Sequence, residues 1–133
     1  MVRVGLTGIG FMGMIHYLAY QQVPGVKVVA LCERDPRKRA GDWTSIQGNF
    51  GPRGTQMDLS GVRCYESYQQ LLEDAEVDLV DICLPTEMHA QWSQEAFRAG
   101  KHVFVEKPVA LTLEEADRCL QAAQAAGKQF HVG

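Results

Sequence analysis

Three glycines, Gly8, Gly10 and Gly13, stand between the run Val2-Arg3-Val4-Gly5-Leu6-Thr7 and the segment Met14-Ile15-His16-Tyr17-Leu18-Ala19. The first run predicts a strand and the second a helix. Glycine at these spacings has a physical role at each position. Gly8 permits a tight turn, Gly10 lets a phosphate group approach the backbone, and Gly13 lets the helix pack closely on the strand. The free N–H groups and the positive end of the helix dipole then face an anion. Glu33 ends the next apolar run, about twenty residues beyond the last glycine, where a carboxylate can accept hydrogen bonds from a ribose. The pattern predicts a dinucleotide cradle; the competing reading is a glycine-rich strand-to-helix turn without a ligand.

The rest of the chain repeats that alternation. Strands are predicted at Val2–Thr7, Val26–Cys32, Val62–Tyr65, Val77–Leu84, His102–Val105 and Gln129–Val132. Several are nearly continuous in Val, Ile and Leu, as buried parallel strands are. The two acids in Val77-Asp78-Leu79-Val80-Asp81-Ile82-Cys83 predict one less dry end or face. Helices fall between the strands with legible caps. Asp35-Pro36 reads as N-cap and first helical residue, and Ser67/Gln70 and Thr112/Glu115 as capping boxes. Gly25, Gly100 and Gly127 read as helix exits. The fold class that follows is α/β, a Rossmann-type doubly wound, predominantly parallel sheet in a single domain over 1–133. Residues 41–61 break the pattern and read as a long loop near the adenosine end, functional or a disordered surface excursion.

With 133 residues and a net charge of −3, the chain has no general attraction for nucleic acid or acidic membranes. No apolar run reaches the roughly twenty residues of a membrane helix, and no basic-then-apolar leader opens the chain. A cytoplasmic location is expected. Cys32, Cys64, Cys83 and Cys119 form no C-x-x-C pair and read as buried reduced thiols. No His/Asp/Glu set has metal-ligand spacing, so no metal is expected. Trp43 and Trp92 read as packing or loop anchors.

A second motif, Lys101-His102-Val103-Phe104-Val105-Glu106-Lys107-Pro108, ends a buried strand with a charged pair and a proline. In an open α/β sheet that end of a strand borders the ligand crevice. Together with Gly8-Ile9-Gly10-Phe11-Met12-Gly13, His16 and Leu84-Pro85-Thr86-Glu87-Met88-His89, it resembles the three N-terminal signatures of the glucose–fructose oxidoreductase / inositol dehydrogenase (Gfo/Idh/MocA) family. The resemblance runs over essentially the whole chain. It implies NAD(P)-dependent oxidation or reduction of a hydroxyl or carbonyl in a sugar, inositol or related small molecule. By the resemblance, Gly8, Gly10, Phe11, Met12, Gly13, Glu33, Arg34, Leu84, Pro85, Thr86, His89, Glu106, Lys107 and Pro108 border the cofactor. Lys107 carries acid–base or polarising work, and the bond before Pro108 is often cis. Thr86 stands where the family often has Asn, and Glu33 where Asp is more usual. Family members are about twice this length or more, with a second α/β domain that supplies most substrate contacts and the oligomer interface. The expectation is therefore a nucleotide-binding half that is inactive alone, from a parent that is a homo-oligomer.

Cofactor choice stays open at this level. Glu33 repels a 2′-phosphate and favours NAD; Arg34, Arg37, Lys38 and Arg39 follow directly and leave NADP possible. His16 reads as a packing or solvent-facing residue, and His89 as either near the ligand or structural. Two other functions share the same residues: an NAD-dependent glycoside hydrolase, and a nucleotide-binding module without chemistry.

Overall fold

A computed structural model describes residues 1–133. Its six strands are β1 (Val2–Thr7), β2 (Val26–Cys32), β3 (Arg63–Tyr65), β4 (Leu79–Ile82), β5 (His102–Val105) and β6 (Phe130–Val132). They form one sheet in the order β3-β2-β1-β4-β5-β6, and every pair is parallel. The order reverses between β1 and β4, so the carboxyl ends of those two strands open a crevice. The expected Rossmann-type doubly wound sheet is present, with β4 shorter than the predicted Val77–Leu84.

Five helices connect the strands: α1 (Phe11–Tyr20), α2 (Pro36–Arg39), α3 (Tyr68–Glu73), α4 (His89–Arg98) and α5 (Leu113–Ala126). Their ends follow the local chemistry. Asp35 Oδ1 accepts from the Arg37 N–H at α2, and Ser67 and Gln70 complete a reciprocal capping box at α3. Thr112 accepts from the Glu115 N–H at α5, while the Glu115 carboxylate reaches the Leu111 N–H one residue earlier than a capping box requires. Gly25 is not a helix exit. α1 stops at Tyr20, and Gly25 instead makes the turn into β2.

Apolar layers cover both faces of the sheet. On one face Val29, Val80, Ile82, Val103 and Val105 pack with Leu71, Phe97 and Ala123 of the helices. On the other, Val4, Leu6, Val28 and Leu31 pack with Met14 and Tyr17 of α1 and with Trp43 and Ile46. Those last two belong to the 41–61 segment and pin it to the core, while residues 47–53 run exposed over the surface. Trp43 is wholly buried, its indole N–H donates to the Lys38 carbonyl at 2.9 Å, and its ring meets Tyr17 edge-on. The segment also does not stay at the adenosine end. It crosses α1 and sets Phe50 against Phe11 at the start of that helix.

Candidate functional site

The turn after β1 is built by sterics. Gly8 has φ +81°, and a Cβ there would lie 2.7 Å from the Cys83 carbonyl oxygen, at the end of the neighbouring β4. A Cβ on Gly13 would fall 2.0 Å from the Gly8 carbonyl, so α1 is seated directly on the turn. Gly10 differs. Its φ is −99°, its Cβ would meet nothing within 4 Å, and no side chain caps α1. Nothing within the protein requires glycine at that position. Open space above bare backbone, beside uncapped helix N–H groups, fits an approaching phosphate.

Glu33 follows β2 and turns back towards this loop. Its Oε1 accepts from the Ile9 N–H at 2.8 Å and its Oε2 from the Asp35 N–H at 2.9 Å. The carboxylate thus fastens the glycine loop to the entry of α2 while it lines a cavity of about 480 Å³ with Gly10, Arg34, Lys38, Tyr68 and Trp92. Trp92 stacks on Tyr68 with ring centres 3.8 Å apart, so it packs and lines the cavity at once. Arg39 is turned away, donating to the Glu33 and Arg34 carbonyls.

A second cleft of about 500 Å³ lies across the end of β4, bordered by Met12, Phe50, Thr86, Glu106 and Lys107. Cys83, Leu84 and Pro85 border both spaces. The two hollows therefore flank one wall at the β1/β4 crevice, with the glycine loop beside it. This shape suits an elongated ligand with a phosphate-rich middle. Lys107 stands exposed at the lip, and the bond to Pro108 is cis.

His89 is 1% exposed, and it joins the two later motifs. Its Nδ1 lies 2.7 Å from the Pro108 carbonyl oxygen and its Nε2 2.6 Å from the Leu84 carbonyl oxygen. Both readings open in the sequence have a counterpart here: the contacts are structural, and the residue borders the second cleft. The ring fastens the backbone after β4 to the backbone after β5 and is itself part of the lining of that cleft.

His16 packs edge-on against Phe104 and does more than pack. Its Nδ1 lies 2.7 Å from Asp81 Oδ2 and its Nε2 2.6 Å from Glu106 Oε1. Burial of the ring opposes its charge, but the hydrogen bonds and charges of Asp81 and Glu106 prevail and raise its pKa above the ordinary histidine value. Asp81 is 0% exposed, whereas Asp78 at the start of the run has a side chain 34% exposed, so the less dry end expected from the two acids is the Asp78 end. Tyr20 donates to Asp81 at 2.7 Å and the Cys83 thiol at 3.3 Å. Burial, and then the Asp81 charge, push the Tyr20 and Cys83 pKa values far up, so both remain protonated donors. His16, Asp81 and Cys83 bring three possible metal-ligand atoms within 4.8 Å of one another, yet these atoms are turned to each other in hydrogen bonds. The node ties α1, directly behind the glycine loop, to the residue preceding Lys107. A polar residue inside an apolar strand was its signal in the sequence.

A profile described as "Oxidoreductase family, NAD-binding Rossmann fold" (GFO/IDH/MocA) matches residues 2–133. An uncharacterised oxidoreductase of Bacillus subtilis is 32% identical over 132 residues, covering 99% of this chain and 35% of that protein. A glycosyl hydrolase family 109 protein of Shewanella baltica is 36% identical over 126 residues, covering 92% of this chain and 26% of that protein. Among solved structures, a 3-ketoreductase from Actinomadura kijaniata in complex with TDP-benzene and NADP superposes with a TM-score of 0.81 at 30% identity. It covers 99% of this chain and 37% of that one. The chain thus spans between a quarter and two fifths of the length of these relatives. No helix is long and apolar enough to cross a membrane.

Proposed function

This chain belongs to the GFO/IDH/MocA oxidoreductase family with its NAD-binding Rossmann fold, and on that premise we propose that it is the dinucleotide-binding part of an NAD(P)-dependent oxidoreductase. The observation that carries the proposal is Gly10. It is a glycine that the protein's own packing does not need, lining the first of two hollows that share one wall. The adenosine half lies against Glu33 and Arg34, and the nicotinamide half against Met12, Thr86 and Lys107. A bound nicotinamide supplies the hydride donor or acceptor.

The chain's own residues hold and orient. Glu33 keeps lone pairs for a ribose and opposes a 2′-phosphate, which favours NAD; Arg34 and Lys38 in the same cavity leave NADP possible. Lys107 hydrogen-bonds the substrate oxygen and exchanges its proton as that oxygen passes between hydroxyl and carbonyl. The substrate class is a sugar-like hydroxyl or carbonyl compound; the 3-ketoreductase name of the Actinomadura protein supports its carbonyl chemistry. Calorimetric titration with NADH and with NADPH, on the wild type and on Glu33→Ala, tests the cofactor reading. Saturable NADH binding whose preference over NADPH shrinks in the variant is expected. Binding of neither dinucleotide would overturn the reading.

A second reading rests on the family 109 name of the Shewanella protein. There the same Lys107 would serve a transient oxidation within glycoside cleavage, and the cofactor would be restored each cycle. Absorbance at 340 nm during turnover of the complete protein separates the two. Net NADH formation or consumption identifies a dehydrogenase, and sugar release without net change identifies a glycosidase.

A further inference from the structure

Phe50 is 61% exposed, yet it is not a loose side chain. Its loop is anchored at one end by buried Trp43 and Ile46, and it closes through the Gly54 N–H on the Ile46 carbonyl at 2.8 Å. Near its tip the loop lies flush on α1. A Cβ on Gly48 would fall 2.5 Å from the Phe11 ring, and the Phe50 ring meets Phe11 edge-on with centroids 5.0 Å apart. Phe11 stands between Gly10 and Gly13, so the loop fixes an aromatic face to the glycine turn itself. The exposed face of Phe50 borders the cleft that holds Met12, Thr86 and Lys107. A large apolar ring held in water beside a cleft is positioned to be covered by what enters it.

We propose that Phe50 is the outer wall of the nicotinamide end of the cleft and packs against the nicotinamide ring. The inference rests on the dinucleotide reading above. Met12, 36% exposed, gives a soft apolar floor, and Phe50 gives the flat face to which a heteroaromatic ring packs edge-on or offset. Lys107 and Thr86 border the same space and offer polar groups to the ring's amide.

The test is calorimetric titration of the 133-residue chain with NADH and with ADP-ribose, which lacks only the nicotinamide. Phe50→Ala is expected to weaken NADH binding about three- to tenfold, the value of one aromatic contact, and to leave ADP-ribose within about twofold. Phe50→Trp is expected to restore NADH binding. Because Phe50 is exposed, both variants should keep the wild-type unfolding transition; Phe50→Leu, which retains the bulk, is the substitute if Ala alters it and should show a smaller loss confined to NADH. Equal losses for both ligands, or no loss for either, would overturn the wall. Wild type that binds ADP-ribose as tightly as NADH would overturn it too, while leaving the dinucleotide reading intact. Failure to bind either ligand would overturn the dinucleotide reading and the wall with it.

Discussion

Replacing His16 with alanine removes the ring that lies between Asp81 and Glu106 and leaves a carboxylate with no solvent exposure short of its strongest partner. Removing one member of a buried ion pair costs about 3–5 kcal/mol. Asp81 keeps its bonds from Tyr20 and Cys83, which places the cost at the lower end. The bond to Glu106, whose side chain is 20% exposed, adds no more than ~1 kcal/mol. The edge-on contact with Phe104 is also lost. The expected loss is about 3 kcal/mol at pH 7, or roughly 10 °C in midpoint for a chain of this size. The His16 pKa is raised in the folded state, so its contribution is fully present below the unfolded value near 6.5 and is lost as pH rises through the higher folded value. The groups facing it are Asp81, Glu106 and Cys83, with Tyr20 bonded to Asp81. The reference for the pH series is therefore His16→Ala/Asp81→Asn, which lacks both members of the buried pair. Urea unfolding from pH 6.5 to 9.5 should show the wild type's advantage over that double variant shrinking steadily. A loss below about 1 kcal/mol in His16→Ala, or an advantage that stays flat with pH, would refute the reasoning.

Gly10→Ala and Gly13→Ala should separate fold from ligand. The first keeps the wild-type unfolding midpoint to within a few degrees and loses at least about tenfold in ADP-ribose affinity. The second, with its Cβ 2.0 Å from the Gly8 carbonyl, loses stability as well, and thermal unfolding beside calorimetry distinguishes them. In the longer parent protein, Lys107→Ala should lower turnover by about a hundredfold or more while changing cofactor affinity less than about threefold; unchanged turnover removes Lys107 from the reaction. Arg3 donates two side-chain hydrogen bonds to Asp78 and holds its carboxyl down to about 2. A depressed carboxyl stabilises above its unfolded value and loses that contribution as pH falls through the folded one, so Arg3→Ala should unfold at higher pH in an acid titration followed by circular dichroism.

The features legible in the sequence were those set by neighbours along the chain. The three glycines, the Asp35-Pro36 entry to α2, the Ser67 box and the nearly continuous apolar strands depend on backbone geometry and burial over a few residues. The ends of β4 and the role of Gly25 were misjudged because apolar character runs past the last ladder hydrogen bond, and because a turn glycine looks the same after a helix as before a strand.

The sequence alone determined that the chain alternates strand and helix, that glycines shape its first turn, and that a lysine follows the fifth strand. The tertiary structure decided what those pieces face. It placed His16 between two carboxylates 65 and 90 residues away, made His89 a clamp on two carbonyls, and carried Phe50 from the far end of a long loop to the cleft. The physical reason is range. Turn sterics and periodicity act over a few residues, whereas pairing a buried charge or covering an exposed ring depends on groups brought together only by the parallel strand order, which no local pattern encodes.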